Sequence, residues 1–173
     1  MFKNDQKGFT LLELTVVIAI IILLSGLVLT NYRVGEREYA LLRSAQKLAQ
    51  DLRRAQKMAM ASETLPAKCG GEFPAGGYGI YFVTASNSYI LFADCDGDGE
   101  YDLGPEKIEE IFLESKIKIS TLSSDPFSLN ITFFPPDPTI IIKPSANPAT
   151  ITLKNDGKTK TVKINTAGLI EID

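Results

Sequence analysis

The sequence predicts an α+β protein in which one long N-terminal helix precedes a β-rich head. No proline interrupts residues 9–65, where apolar side chains first run almost without a break and then recur at helical spacing. Beyond residue 77 the apolar period changes from about 3.6 to 2, which is typical of half-buried strands. We therefore expect one helix of about 50 residues and a head of antiparallel sheets, one of them packed against the helix.

The first part of the helix, residues 9–29, is apolar enough to lie in a bilayer. At about 1.5 Å per residue it covers about 30 Å, the thickness of the hydrocarbon core. Glu13 is costly at that depth, because insertion of a carboxylate costs about 2.5–3.5 kcal/mol. The span holds no Lys or Arg, so the helix cannot neutralise this charge. An α-amine created by cleavage just before Phe9 of a neighbouring subunit could do so.

The residues around Glu13 carry a family resemblance. A short hydrophilic leader with two lysines precedes the sequence GFTLLEL, which begins at Gly8 and leads into the apolar run. This order resembles the class III signal of type IV pilins and type II secretion pseudopilins. The resemblance implies that prepilin peptidase removes residues 1–8 by cutting after Gly8, and that Phe9 is then N-methylated. It also implies that Glu13 sets the register between subunits of a filament.

Two other interpretations of the N-terminus compete with this one. A secretory signal peptide needs small residues at a cleavage site after the apolar run, and LTNYRVGEREYA contains no such triplet. A plain single-pass anchor would leave Glu13 incidental. Basic residues flank the span on both sides, so charge does not decide its orientation. The leader resemblance implies a bacterial inner-membrane protein with its head in the periplasm, later incorporated into a filament or its tip.

The second part of the helix, residues 30–64, is amphipathic. It should end near residues 61–64, because Pro66 disfavours helix before it and glycines follow. Residues 65–173 then form the head. One apolar stripe recurs at steps of four and three, made up of Leu41, Ala45, Leu48, Leu52, Ala55 and Ala59.

The head should contain nine strands, some of them joined by tight hairpins. The Asn155-Asp156-Gly157 sequence is a strong hairpin signal. Prolines surround residues 139–142, so that strand is expected at an edge or in an extended loop. The predicted strands are residues 78–83, 89–93, 108–113, 116–121, 128–134, 139–142, 150–153, 161–165 and 169–172.

The head is similar to the GspH/FimT group of minor pseudopilins and minor pilins. The supporting sequences are LRRAQ from Leu52, GIYF from Gly79, and the stretch from Phe92 through an acidic loop to Glu106. The resemblance implies a structural subunit that assembles with other pilins or pseudopilins and initiates or caps a filament for secretion or piliation. The alternative is a FimT-like DNA-uptake pilin, for which the resemblance directs attention to arginines near the C-terminus.

Composition argues against an enzyme and against broad nucleic-acid binding. The chain has a net charge of −3, and residues 166–173 include no basic residue. Histidine is absent, which removes the commonest general base and zinc ligand. The cysteines, Cys69 and Cys95, are too few for a four-cysteine zinc site. In a head outside the cytoplasm they favour a disulfide, and two separate buried thiols are the alternative.

An acidic loop follows the second predicted strand and could bind calcium. Carboxylates at alternate positions around a glycine suit calcium, which takes six to eight oxygen ligands. The loop matches the first half of an EF-hand loop, but Pro105 occupies the position of the closing glutamate and Glu106 comes one residue late. The alternative is an acidic turn without metal. The candidate ligands are Asp94, Asp96, Asp98, Asp102 and the backbone carbonyl of Glu100.

Overall fold

A computed structural model describes residues 8–123, 127–135 and 139–173, apart from the side chains of residues 28–34. The chain divides into two compact units, Met1–Glu36 and Arg37–Asp173. Helix α1 runs from Leu11 to Met60 and has 50 residues, the predicted length.

Two sequence-based predictions for the N-terminus fall partly outside these residues. The predicted leader, residues 1–8, lies outside them except for Gly8, and the predicted span, residues 9–29, includes two residues without described side chains. Within the part of the chain that the structure describes, no helix is both long and apolar enough to cross a membrane.

The C-terminal end of α1 is fixed by backbone hydrogen bonds. Ser62 has a φ of 48° and its backbone N donates to the Ala59 carbonyl at 2.9 Å. The backbone N of Glu63 donates to the Met58 carbonyl at 3.1 Å. These two bonds form a Schellman motif, which satisfies carbonyls that the helix leaves open. The helix therefore ends at Met60, slightly earlier than predicted and well before Pro66.

The apolar stripe of α1 is buried, as predicted. Residues three and four apart lie on one face of a helix, so a stripe at this spacing can enter a single core. Full burial of a leucine contributes about 1.5–3 kcal/mol. All six predicted members are at most 1% exposed: Leu41, Ala45, Leu48, Leu52, Ala55 and Ala59.

Two antiparallel sheets follow the helix, as predicted. The five-stranded sheet contains β1 (Gly77–Val83), β2 (Ser88–Asp94), β3 (Lys107–Phe112), β5 (Ser128–Phe134) and β6 (Thr139–Lys143), in the order β3-β2-β1-β5-β6. The four-stranded sheet contains β4 (Lys118–Leu122), β7 (Ala149–Asn155), β8 (Lys158–Ile164) and β9 (Ile170–Ile172), in the order β4-β7-β8-β9.

Each predicted strand overlaps one of these, and two finer predictions are confirmed. Strand β6 lies at an edge, where the neighbouring prolines cost no ladder hydrogen bond. Asn155 pairs with Lys158 across a two-residue turn, in which Asp156 and Gly157 have φ angles of 44° and 91°. Positive φ at both central residues matches the right-handed twist of a hairpin.

One core joins the C-terminal half of α1 to both sheets. On β1, alternate residues Tyr78, Ile80 and Phe82 are fully buried in it. The Tyr89 hydroxyl donates to the Asp51 carboxylate at 2.6 Å, which links β2 to α1. The predicted α+β architecture, a helix packed on antiparallel sheets, is confirmed.

Candidate functional site

The predicted cleavage point between Gly8 and Phe9 is exposed. Phe9 is 85% exposed, and a Cβ at Gly8 would have no atom within 4 Å beyond its chain neighbours. The Thr10 Oγ1 accepts a hydrogen bond from the backbone N of Glu13 at 3.2 Å. Thr10 therefore acts as the N-cap of α1. The helix begins just after the predicted cleavage point and leaves the Gly8–Phe9 peptide bond exposed.

Glu13 lies in the first turn of α1, where the helix dipole favours a negative charge by about 0.3–1 kcal/mol. Its carboxylate makes no hydrogen bond or ion pair with any described residue. Around it the described side chains of α1 remain exposed as far as residue 27. The large apolar ones are Leu11, Leu12, Leu14, Val16, Val17, Ile18, Ile20, Ile21, Ile22, Leu23, Leu24 and Leu27.

The acidic loop, residues 95–106, joins β2 to β3 and lies on the face of the five-stranded sheet opposite to the core. The Tyr101 ring lies 5.1 Å from the ring of Tyr81 and 5.5 Å from that of Phe92. Both partners alternate along their strands with core residues and so point to the other face. The backbone N of Tyr101 also donates to the Asn130 Oδ1 at 3.1 Å. These contacts hold the loop against the sheet.

Polar contacts attach the loop to the strands beyond β1. The Thr132 hydroxyl donates to the Gly99 carbonyl at 3.2 Å. Lys143 donates to the Asp98 carbonyl and forms an ion pair with Glu100 at 3.4 Å. Lys143 therefore compensates the negative charge of Glu100, one of the carboxylates of the loop.

Two carboxylates at the base of the loop are buried. Asp94 is 0% exposed, and its two oxygens accept hydrogen bonds from the backbone N of Gly97 and Gly99, each at 2.8 Å. Glu106 is 2% exposed. A Cβ at Gly76 would lie 1.8 Å from the Asp94 Oδ2. Only glycine therefore fits at that position without displacing the carboxylate.

Glu106 closes the loop from its other end. Its Oε1 accepts a hydrogen bond from the backbone N of Cys95 at 2.9 Å, and its Oε2 accepts one from the backbone N of Asp102 at 2.8 Å. In the sequence, Glu106 comes one residue after the closing ligand position of an EF-hand loop. Within the loop, Gly99 and Gly104 both have positive φ angles.

Burial decides the electrostatics of these carboxylates. Burial raises the pKa of Asp94 to about 6, although the backbone N–H groups of Gly97 and Gly99 oppose this and the charge of Glu106 adds to it. Burial also raises the pKa of Glu106, against the N–H groups of Asp102 and Cys95. Removing a carboxylate from water disfavours its charged form. The pair therefore favours a proton or a cation more than an exposed pair would.

The structure brings together only part of the predicted ligand set. Oxygens of Asp94, Asp96 and Glu106 lie within 4.8 Å of one another, a spacing that could hold a metal ion. Asp98 and Asp102 do not belong to this group. The Asp98 carboxylate instead accepts a hydrogen bond from the backbone N of Glu100 at 2.7 Å. Calcium binding remains a prediction, and Glu106 is a candidate ligand that the sequence pattern missed.

A disulfide joins Cys69 to Cys95, next to the buried Asp94, and confirms the favoured prediction. The two Cα atoms are 5.2 Å apart, and 26 residues separate the cysteines in sequence. Cys69 begins a short 3₁₀ helix, Cys69–Gly71, between α1 and β1. The bond therefore ties the connector that follows α1 to the start of the acidic loop.

Four lysines that are close in sequence lie on the four-stranded sheet: Lys154, Lys158, Lys160 and Lys163. Lys163 forms an ion pair with the side-chain carboxylate of Asp173. Lys154 and Lys158 flank the β7–β8 turn, and Lys160 follows on β8. Asp156 in that turn pairs with Arg37 of α1. These four lysines therefore present less unpaired positive charge to DNA phosphates than their spacing in the sequence suggests.

Two family models match this chain, one near its N-terminus and one over most of its length. A family model described as the prokaryotic N-terminal methylation motif matches residues 3–29. A second, described as type II transport protein GspH, matches residues 44–168 and covers most of the chain. Neither the curated proteins nor the solved structures yielded a match.

Proposed function

The chain belongs to the GspH family of type II transport proteins, and from this premise we propose that it is a minor pseudopilin that initiates or caps a filament. The exposed first half of α1 is the observation that carries the proposal. Its described side chains are apolar on every face and are exposed. A continuous apolar surface of this kind marks contact with a membrane or with other proteins. A filament subunit needs both.

We propose that prepilin peptidase matures the chain by cutting between Gly8 and Phe9, followed by methylation of the new α-amine. The match to the N-terminal methylation motif supports this step. So does the exposure of both residues, because a peptidase needs an accessible peptide bond. Cleavage would place Thr10, the N-cap, at the second position of the mature chain.

Glu13 would then accept the α-amine of a neighbouring subunit. Its carboxylate has no partner among the described residues, and residues 8–27 contain no Lys or Arg. A charge in an apolar environment requires a partner to offset its desolvation. An amine from the next helix would supply one and would fix the axial position of each subunit.

The proposed location is the bacterial inner membrane, with a single span and the head in the periplasm. The Cys69–Cys95 disulfide supports this location, because such bonds persist in oxidising compartments. The proposed partners are prepilin peptidase and the other pilins or pseudopilins of the filament. The GspH match supports a structural subunit in preference to an enzyme.

The second candidate, a DNA-uptake receptor, has less support. The C-terminal region presents Glu171 and Asp173 and no basic residue, and Asp173 neutralises Lys163. We expect the protein to bind duplex DNA only weakly. Submicromolar DNA binding that falls with salt, and that is lost when Lys154, Lys158, Lys160 and Lys163 are replaced, would favour the receptor instead.

Copurification tests the proposed function. The full chain, extracted from membranes that contain the other minor pilin-like subunits, should copurify with them. Deletion of its gene should abolish secretion or piliation, and the wild-type gene should restore it. Normal secretion and piliation in the deletion strain, together with no copurification, would contradict the proposal.

A further inference from the structure

A cavity of about 310 Å³ opens beside β4 and the β7–β8 turn, away from the acidic loop. Three lysines line it, Lys116, Lys118 and Lys154. Ala85 is an apolar part of the lining, whereas the Ile119 side chain is 0% exposed and points into the core. Asp156 is its only acidic lining residue among the described residues.

The ammonium groups of the three lysines make no hydrogen bond or ion pair within the described residues. Other lysines of the β-rich head do find partners: Lys68, Lys107, Lys143 and Lys163. The exceptions besides the cavity lysines are Lys158 and Lys160, on the neighbouring strand. Unpaired positive charge in the β-rich head is therefore concentrated at this end of the four-stranded sheet.

The arrangement of these lysines is unfavourable in the absence of a ligand. Lys118 and Lys154 are directly opposite each other on β4 and β7. Like charges at such positions destabilise a sheet. Lys116 has a φ of 71°, in the left-handed region that favours glycine. An anion in the cavity would relieve the repulsion among the three ammonium groups.

Among the described lining residues, no acidic side chain is available to neutralise the three lysines. Asp156 forms an ion pair with Arg37 on α1, so its charge is already balanced. The lining therefore keeps three uncompensated positive charges. It could accommodate an anion with more than one charge and at least three acceptor oxygens.

We propose that this cavity binds a phosphate monoester. Such a group carries about −1.5 to −2 charges at pH 7 and has three strong acceptor oxygens. Three lysines can each donate to one of these oxygens. A carboxylate brings one charge and two oxygens and would leave most of the positive charge unbalanced.

Titration of the full chain in a neutral detergent tests the proposal with two probes, inorganic phosphate and dihexanoyl phosphatidic acid. Binding is followed by ³¹P line broadening at constant ionic strength. Both probes should bind saturably, and acetate should not compete. Lys118→Gln and Lys154→Gln should each weaken binding about tenfold, since hydrogen bonds to charged groups contribute that much or more.

Two further variants separate binding from folding and from net charge. The matched control is Lys158→Gln with Lys160→Gln, which removes two nearby charges and should change affinity less than about twofold, because neither side chain lines the cavity. Lys116→Gly should weaken binding while raising the melting temperature of the ligand-free protein, because glycine accepts its positive φ.

The two probes also distinguish the sources of the phosphate group. Tighter binding of phosphatidic acid assigns the cavity to a lipid headgroup, and equal binding assigns it to a free phosphate ester. The proposal fails if neither probe saturates, if the control variant weakens binding as much as the cavity variants do, or if duplex DNA displaces both probes at lower concentration.

Discussion

The two halves of α1 use similar residues in opposite ways. Leu23 in the first half is 71% exposed, whereas Leu48 in the second half is 0% exposed. In the second half, apolar residues occupy one stripe and the sheets cover it. In the first half, apolar residues occupy every face and are exposed within the described chain. Within the described residues, this difference supports the proposal that the first half finds its partners in a bilayer or in other subunits.

Loss of the unpaired charge in the first half should have the largest effect. Glu13→Ala should still insert into the membrane, because it removes a costly carboxylate. It should reduce incorporation into filaments by at least about tenfold, because the α-amine of the next subunit loses its partner. Immunoblots of membrane and filament fractions measure both steps. Thr15→Ala is the control, and normal incorporation of Glu13→Ala would show that Glu13 is incidental.

A leucine deletion in each half tests the comparison directly. Leu48→Ala should lower the free energy of unfolding by about 2–5 kcal/mol, because it leaves a cavity in the core. Leu23→Ala should change it by less than about 0.5 kcal/mol, because no described residue covers that side chain. Denaturant titration in detergent, followed by circular dichroism, measures both variants. Similar losses would mean that the two halves do not differ in this way.

Removal of the disulfide should destabilise the second unit and leave the first half of α1 unaffected. Replacing both cysteines by alanine should cost about 3–4 kcal/mol, since the bond restricts a loop of this length in the unfolded chain. Thermal unfolding with and without reductant provides the measurement. Two free thiols in the unfolded, non-reduced protein would show that the bond does not form.

The sequence-based calcium hypothesis predicts a smaller effect. About 10 mM calcium should stabilise the head by about 1.4–2.7 kcal/mol if the dissociation constant is typical of extracellular sites. EDTA should reverse the rise in melting temperature. Asp96→Ala should abolish it, whereas Asp102→Ala should retain it because Asp102 lies outside the cluster of oxygens. An unchanged melting temperature in the wild-type protein would favour an acidic turn without metal.

Periodic features of this fold could be predicted from the sequence, and features set by long-range geometry could not. The Leu41–Ala59 stripe and the strands follow from local repeats of about 3.6 and 2 residues. The Asn155 hairpin follows from turn chemistry. Counting positions in an EF-hand loop left Glu106 out of the predicted ligands, because its contacts with the backbone of Cys95 and Asp102 depend on how the loop folds.

The lysine-lined cavity likewise could not be predicted from the sequence. In the sequence, Lys116 and Lys118 are far from Lys154, and only the pairing of β4 with β7 brings them together. Lys154, Lys158, Lys160 and Lys163 are close together in the sequence around the Asp156 turn. The structure divides them, because Lys163 pairs with Asp173 and Lys154 faces the cavity.

The most direct test of the central claim is the intact mass of the protein extracted from cells that contain active prepilin peptidase. If the first half of α1 is the assembly segment of a filament subunit, the mass should equal residues 9–173 plus one methyl group, with a disulfide between Cys69 and Cys95. A mass that retains residues 1–8 would contradict the claim that maturation frees Phe9 for contact with neighbouring subunits.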